Sequence, residues 1–492
     1  MNINEIIENI GAYTGITKDS REVGPGYIFG SDAIEEEKRQ RYIKHAILNG
    51  ATVILGETPP EMELSVPFVK VNELMRAIGD IACRMYHSPS SELLLIGITG
   101  TCGKTSVSYL MESILRADGY EVGVIGSIAW RYRDVSLPAT HTTPEAHKLQ
   151  SVLRDMKDAG CTAVVMEVSS HGLKLDRVAF VAFDAMAFTN LSPEHLDFHE
   201  NMADYFDAKA LLFSKCALES ADEGKQPVAA INVDDCYGKE LVTRIKKSGE
   251  IDKLVTYGIT EGDVLGDGLH VEASGIQGVV NDVKVESKLV GRFNVENILC
   301  AIALSRALGI PASSIEVGVR SLKAIPGRLE RIDSASGVHA FVDHAHKVGA
   351  LRSVLEALRD LRGEGKLIVV FGCGGLRDKF KRPAMGKVAC EMADTVWLTS
   401  DNPRTENPLA IISEIRAGIP AGCDVREECD REEAIRRAVA GAKRGDILVV
   451  AGRGHETHQI VASESSSGQM RKIPLNDSEV LRRFLNGSGD IA

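Results

Sequence analysis

Apolar and polar positions alternate along this chain in two recognisable rhythms. Residues 93–98, Leu-Leu-Leu-Ile-Gly-Ile, form an unbroken apolar run of buried-strand length. A glycine-rich turn follows, and then Val107, Leu110, Met111, Ile114 and Leu115 recur at helical spacing until Gly119 supplies a stop. The pattern predicts strand, loop, helix. Two more buried strands are expected at 122–128 and 163–168. The stretch from about 226 to 290 reads as strands and turns. Val295, Ile298, Leu299 and Ile302 mark another amphipathic helix, ended at Gly309. Beyond Ile325-Pro326-Gly327 the rhythm alternates: strands at 340–343, 367–371, 395–399 and 447–450, helices near 347–361, 383–392, 408–417 and 430–442. Such alternation predicts an α/β fold, a parallel sheet covered by helices, with ligands at the carboxyl ends of its strands. The first 88 or so residues show only short strand and helix signals around turns, and the charged run Glu35–Arg41 reads as a solvated helix.

Composition narrows the possibilities. The 492 residues give a prior of about three domains. Their 44% hydrophobic and 26% charged content is that of a globular chain. With 57 basic against 69 acidic residues the formal charge is −12, which argues against nucleic acid as a bulk electrostatic partner. Ten cysteines are scattered with no C-x-x-C pair, so unpaired thiols and a cytoplasmic setting are expected. No apolar stretch approaches the length of a membrane span, so no membrane insertion is expected. No interface pattern is legible, and a monomer is expected.

The chemistry gathers at strand ends. Gly100-Thr101-Cys102-Gly103-Lys104-Thr105 sits between the strong strand and the strong helix. Its glycines let backbone N–H groups approach phosphate oxygens, and the helix N-terminus adds positive charge. Lys104 suits the terminal phosphates and the Thr105 hydroxyl a Mg²⁺ ion. The strict G-x-x-x-x-G-K-[ST] pattern is not met, because Ile98 stands where its first glycine belongs. Glu167 ends another buried strand, on the same rim, and would complete an oxygen site for Mg²⁺ with Thr105.

These segments, with others in order along the chain, resemble the Mur ligases, ATP-dependent amide-forming enzymes of cell-wall precursor synthesis. The motifs are GTCGKTS at the phosphate loop, HTTPEAHKLQ from His141, MEVSSHGL from Met166, FTNLSPEHLDFH from Phe188 and YFDAKALLF from Tyr205. FNVENILCAIA from Phe293, PGRLERI from Pro326, VVFGCGGLRDKFKRP from Val369, DNPRTENP from Asp401 and AGRGHETHQI from Ala451 complete the set. The resemblance implies three α/β domains: a small UDP-binding domain over 1–89, a central P-loop-type ATP-binding domain over 90–325, and a Rossmann-like amino-acid-binding domain over 326–492. It is closest to members that add meso-2,6-diaminopimelate to UDP-N-acetylmuramoyl-L-alanyl-D-glutamate through an acyl phosphate.

Carried over residue by residue, the resemblance implies ATP contacts at Gly100 to Ser106, Asn297, Arg328 and Asp343. Lys104, Glu167, His195 and Lys209 become the catalytic set. Mg²⁺ would be held by Thr105, Glu167, His195 and Lys209, the last as a carbamate. Ser20, Thr142, Thr143, Ser169 and Arg177 would contact the UDP-muramoyl dipeptide. Arg377, Asp401, Asn402, Arg404, Gly452 and Glu456 would form the diaminopimelate pocket, since a guanidinium grips a carboxylate bidentately and repels the ammonium that lysine carries there. A ligase adding L-lysine or another amino acid, one acting on another cell-envelope peptide or on a pteroyl substrate, and a non-catalytic nucleotide-binding homologue remain the alternatives. The chain departs from the family pattern at the charged run 35–41, at Cys102 (commonly asparagine), at Val342-Asp343-His344-Ala345-His346-Lys347-Val348-Gly349 (usually V-D-Y-A-H-T-P-D) and at Leu376 (usually aspartate).

Overall fold

The computed structural model describes residues 2–272, 274–463 and 469–487. The chain folds into two compact units. The first holds residues 1–268, 279–284 and 296–321, and the second 269–278, 285–295 and 322–492.

The first unit contains two sheets. Strands Gly15–Thr17, Tyr27–Gly30, Ala51–Gly56 and Phe68–Lys70 pair in parallel in that order. Ile28, Val53 and Leu55 point into one apolar cluster with Ile78 and Ile81 of the helix Leu74–Met85. Phe29 and Ile54, on the opposite face, pack with Ile43 and Ala46 of the helix Glu36–Leu48, as period-two alternation requires. The charged run therefore is helical, and it continues through residue 48 because Ile43 and Ala46 supply a buried stripe.

The larger sheet has nine strands. Leu94–Thr99 lies near its middle, flanked in parallel by Ala163–Glu167 on one side and Ala185–Phe188 on the other. Chain order thus reverses beside Leu94–Thr99, which makes the carboxyl ends of these three strands a topological switch point. The register aligns Thr99 with Phe188 and Ile98 with Glu167, so three loops leave the sheet at one level. The helix Lys104–Ala117 packs against Ala312–Ser321 closely enough that a Cβ on Gly318 would lie 2.4 Å from the Ile114 Cα.

One expectation over 226–290 fails. Cys236–Ser248 is a helix, between the parallel strands Val228–Asn232 and Lys253–Gly258. Asp235 caps its start by accepting from the Tyr237 and Gly238 amides, and Gly249, at φ 73°, ends it in the left-handed conformation.

The second unit carries a six-stranded sheet. His339–Asp343, Ile447–Ala451, Leu367–Phe371, Thr395–Leu398 and Val425–Glu427 are parallel, and Glu330–Ile332 is antiparallel at the edge. Apolar clusters cover both faces, which explains why its strands read as continuous apolar runs. Cys390 and Cys423 form a disulfide with Cα atoms 6.0 Å apart, against the expectation of unpaired thiols; their separation of 33 residues gives no motif, and only packing brings them together. Among the described residues, no helix is long and apolar enough to cross a membrane.

Candidate active site

In the first unit the phosphate loop bends where glycine alone fits. Gly100 has φ 142°, and a Cβ there would lie 1.8 Å from the Thr189 hydroxyl. Gly103 has φ 90°, and a Cβ there would lie 2.5 Å from Asn297 Oδ1, so the buried Asn297 sits directly against the loop. The loop is held from the neighbouring segment. Thr101 N donates to Asn190 O at 2.8 Å, and Cys102 N to Asn190 Oδ1 at 2.9 Å. The Thr189 hydroxyl donates to Cys102 O at 2.6 Å. Lys104 Nζ folds back to donate to the carbonyls of Gly100 and Thr101, at 2.8 and 2.9 Å. Cys102 is exposed, whereas Thr105 and Ser106 are buried in the first helical turn.

Glu167 is buried at 2% exposure, at the end of its strand. Its Oε1 accepts three hydrogen bonds: from Thr105 Oγ1 at 3.0 Å, Ser127 N at 3.0 Å and Ser127 Oγ at 3.2 Å. A carboxylate buried among neutral donors is short of positive charge, and a hard cation suits the gap. Among the described residues no group of three or more His, Cys, Asp and Glu side chains gathers as a metal site. A cation here would take a mixed oxygen set, Thr105, Glu167, water and phosphate, which is the manner of Mg²⁺. The residues fit the ion.

Lys209 is also buried, on the helix Met202–Ala210, and its Nζ donates to Gly100 O at 2.8 Å over the Tyr205 ring. Burial and the neighbouring Lys104 hold its pKa well below the ordinary lysine value. His195 stands at φ 57°, with its ring 4.9 Å from that of His171 and 6.2 Å from that of Tyr205. Burial, Lys104 and Lys209 lower its pKa, so it stays neutral near pH 7. A neutral imidazole is the form that ligates a metal.

Thr143, Ser169 and Arg177 meet beside Glu167. Thr143 Oγ1 donates to Glu167 O at 3.0 Å and accepts from Ser169 N at 2.9 Å. Arg177 Nη1 donates to Thr143 O at 3.1 Å, while its Nη2 pairs with Glu145 at 2.8 Å. Thr142 is half-buried next to them. Ser20 lies in the small sheet's rim, where its hydroxyl is 3.0 Å from His45 Nδ1 and its carbonyl accepts from Asn49 Nδ2 at 2.9 Å.

In the second unit, Asp343 is buried and accepts from Leu329 N and Ala345 N, at 2.7 and 2.8 Å. Burial raises its pKa, and the Arg328 guanidinium opposes the rise. Asp401, Asn402 and Arg404 follow the strand Thr395–Leu398. Arg404 has φ 57°, a strained conformation for a long side chain. It is held by its N–H on Ile460 O at 3.0 Å and by Nη1 on Gly375 O at 2.7 Å. Asn402 Nδ2 donates to Glu456 Oε2 at 2.7 Å. Gly452, at φ 115°, is required because a Cβ would lie 2.8 Å from the Asp401 carboxylate. Arg377 is exposed on the neighbouring turn, its Cγ 3.6 Å from where a Gly374 Cβ would stand. Arg404, Asn402, Glu456 and Arg377 thus bring two cations and one anion to the ends of adjacent strands.

Sequence reasoning missed Ser127, Asn190 and Arg453. Ser127 follows a glycine just past the strand Val122–Ile125, a position from which strand-end reasoning would have found it. Arg453 carried no signal, being one basic residue in a motif, yet it is fully buried behind Asn402.

Family models match in two places. The Mur ligase middle domain matches residues 98–305 and the Mur ligase, glutamate ligase domain matches residues 327–454. A UDP-N-acetylmuramoyl-L-alanyl-D-glutamate–2,6-diaminopimelate ligase of Gloeobacter violaceus is 38% identical over 99% of this chain and 98% of its own. One from Chlorobaculum tepidum is 41% identical over 91% of this chain and 88% of its own. A solved structure under the same enzyme name superposes with TM-score 0.70 at 31% identity, covering 96% of this chain and 94% of that one.

Proposed function

The chain belongs to the Mur ligase family, and we propose that within it this protein joins meso-2,6-diaminopimelate to UDP-N-acetylmuramoyl-L-alanyl-D-glutamate at the expense of ATP. The observation that carries the reading is the 3.0 Å approach of the Thr105 hydroxyl to the buried Glu167 carboxylate, at the rim where the phosphate loop leaves the sheet. That rim has what phosphoryl transfer needs: backbone amides for phosphate oxygens, Lys104 for the charge building on the γ-phosphoryl, and an oxygen pair for Mg²⁺. Bound there, the ion would draw the phosphate oxygens together and screen their charge.

The dipeptide carboxylate attacks the γ-phosphorus, ADP leaves, and an acyl phosphate results. The amine of the incoming amino acid then attacks the acyl carbon, phosphate leaves, and a proton is released. The step through phosphate is needed because a bare carboxylate is a poor electrophile.

Residues 1–89, 90–325 and 326–492 are assigned to uridine nucleotide, ATP and amino acid respectively. ATP is assigned to the loop from Gly100 to Ser106 with Asn297, Arg328 and Asp343. Thr142, Thr143, Ser169 and Arg177 are assigned to the muramoyl dipeptide, and Ser20 to its uridine end. Lys209 is assigned a carbamate. The lowered pKa supports this, because only an unprotonated amine adds to CO₂, and the product places an anion beside the proposed Mg²⁺ site. His195 is assigned to the same metal site. Arg404 and Arg377 suit the carboxylates of the incoming amino acid, and Glu456 with Asn402 its ammonium.

The test is a phosphate-release assay with ATP, Mg²⁺, the UDP-muramoyl dipeptide and a panel of amino acids. Phosphate is expected with meso-diaminopimelate. Release with L-lysine instead, or with no amino acid of the panel, overturns the assignment.

A further inference from the structure

We propose that Arg453 is a positioning residue for the amino-acid pocket: it fixes which way the Asn402 amide faces, and so where the Glu456 carboxylate stands to meet the ammonium of the incoming amino acid. The inference rests on the assignment of Asn402 and Glu456 to that pocket.

Arg453 is fully buried and cannot touch a substrate itself. Its Nη1 donates to Asn402 Oδ1 at 3.2 Å, and its Nη2 to Leu475 O at 2.8 Å. Asn402 Oδ1 also accepts from Ile460 N at 2.8 Å, and Asn402 Nδ2 donates to Glu456 Oε2 at 2.7 Å. The amide therefore has one orientation. Turned over, its NH₂ would face two buried donors and its oxygen would face a carboxylate. All three bonds would be lost and two buried N–H groups left unpaired.

The guanidinium is an expensive way to fill this space. Arg431, also fully buried, holds Asp477 with two bonds of 2.8 Å from Nε and Nη2. Arg453 Nε reaches that carboxylate only at 3.7 Å and makes no hydrogen bond of its own. Asp477 is thus shared between two buried guanidiniums, with Asp401 and Glu456 as further opposing charges. Burying a guanidinium costs desolvation that a carboxylate at 3.7 Å offsets only in part. What an apolar side chain cannot do is donate to Asn402. Arg431 differs in this respect, because its remaining bonds go to the Ser400 and Ala451 carbonyls and secure the strand ends.

The test measures KM for the amino acid, for ATP and for the UDP-dipeptide in Arg453→Met, Arg453→Lys, Asn402→Ala and the double variant Arg453→Met with Asn402→Ala. Losing one buried charge-assisted bond at an orienting group predicts about a tenfold rise in amino-acid KM for Arg453→Met, with the other two KM values within about twofold. Arg453→Lys, whose ammonium still donates, recovers part of the loss. The double variant is no worse than Asn402→Ala alone, since Arg453 acts through Asn402. Equal changes in all three KM values, or additive losses in the double variant, overturn the proposal. Should Arg453→Met not fold, the same comparison is made with Arg453→Leu, which also lacks a donor and where an unchanged amino-acid KM overturns it. If Asn402→Ala itself leaves the amino-acid KM unchanged, the pocket assignment has failed; if Asn402→Ala raises it and Arg453→Met does not, only the positioning role has.

Discussion

At the scale of single residues the decisive feature is how Glu167 is held. Three donors converge on Oε1 and leave Oε2 as the oxygen with capacity for a cation. Glu167→Gln keeps the shape and removes the charge. It is expected to lower kcat by about 10²–10³, the loss typical when one charge-stabilising group is removed from a polar transition state. It should also raise the Mg²⁺ concentration needed for half-maximal rate, and a Mg²⁺ titration of kcat checks both. An unchanged Mg²⁺ requirement would place the ion elsewhere. The residue scale is also where the sequence was most informative about chemistry. Lys104, Thr105 and Glu167 were legible because each stands at the end of a strong apolar run, and run ends become sheet rims. Ser127 was missed although it follows a strand end, and Arg453 was not legible, because its role comes from what lies behind a loop. The strained φ of Arg404 and His195 also leaves no mark in the sequence, since neither is a glycine or asparagine.

At the scale of elements, one side chain ties a helix to the site. Asp235 accepts from Tyr237 N and Gly238 N through Oδ1 and from Leu191 N through Oδ2, at 2.8, 3.3 and 2.9 Å. It therefore caps Cys236–Ser248 and anchors the segment between Thr189 and His195 that holds the phosphate loop. Asp235→Ala is expected to cost about 1–2 kcal/mol of stability, as cap removals do. It should raise KM for ATP several-fold while leaving that for the amino acid unchanged. Thermal unfolding with the two KM values checks this, and a stability loss with no effect on ATP would reduce Asp235 to a cap. This helix is one of the elements that sequence reading missed, along with Ala146–Asp158, Ala312–Ser321 and Asp477–Leu485. Its apolar face is thin, Leu241 and Ile245 with Gly238, so the periodic signal was weak. The cap and the terminal Gly249 were the better evidence. Elements with a full apolar stripe, such as Lys104–Ala117 and Val348–Arg359, were legible from spacing alone. The four inner strands of the second unit's sheet were legible because both faces of that sheet are covered, whereas its edge strands Glu330–Ile332 and Val425–Glu427 were not expected.

At the scale of the whole molecule the charge balance of −12 coexists with histidines held neutral. His141, His147, His171, His195, His199, His339, His344, His346 and His455 all have pKa values below the ordinary 6.5, with burial the leading cause at each. His171 and His455 fall to about 4 and His344 to about 3. A base with a lower pKa folded than unfolded takes up its proton more readily on unfolding. Stability is therefore fully present above pH 6.5 and falls as pH drops through the window between 6.5 and the folded values, by about 1.4 kcal/mol per pH unit for each proton of difference. Carboxylates act later. Asp19, Glu406 and Glu433 are held at about 2 by their arginine partners, so their contribution is lost only as pH falls below the ordinary values near 4. Acid should thus weaken the protein in two stages, the first belonging to histidine. Because the depressed histidines are shared between both units, urea unfolding followed from pH 7.5 to 4.5 should show every transition moving to lower urea below about pH 6.5. His344→Phe removes one buried titrating ring from the second unit and should flatten the decline there alone. A midpoint that stays level down to pH 5 would mean that the rings gain partners on protonation that offset their burial.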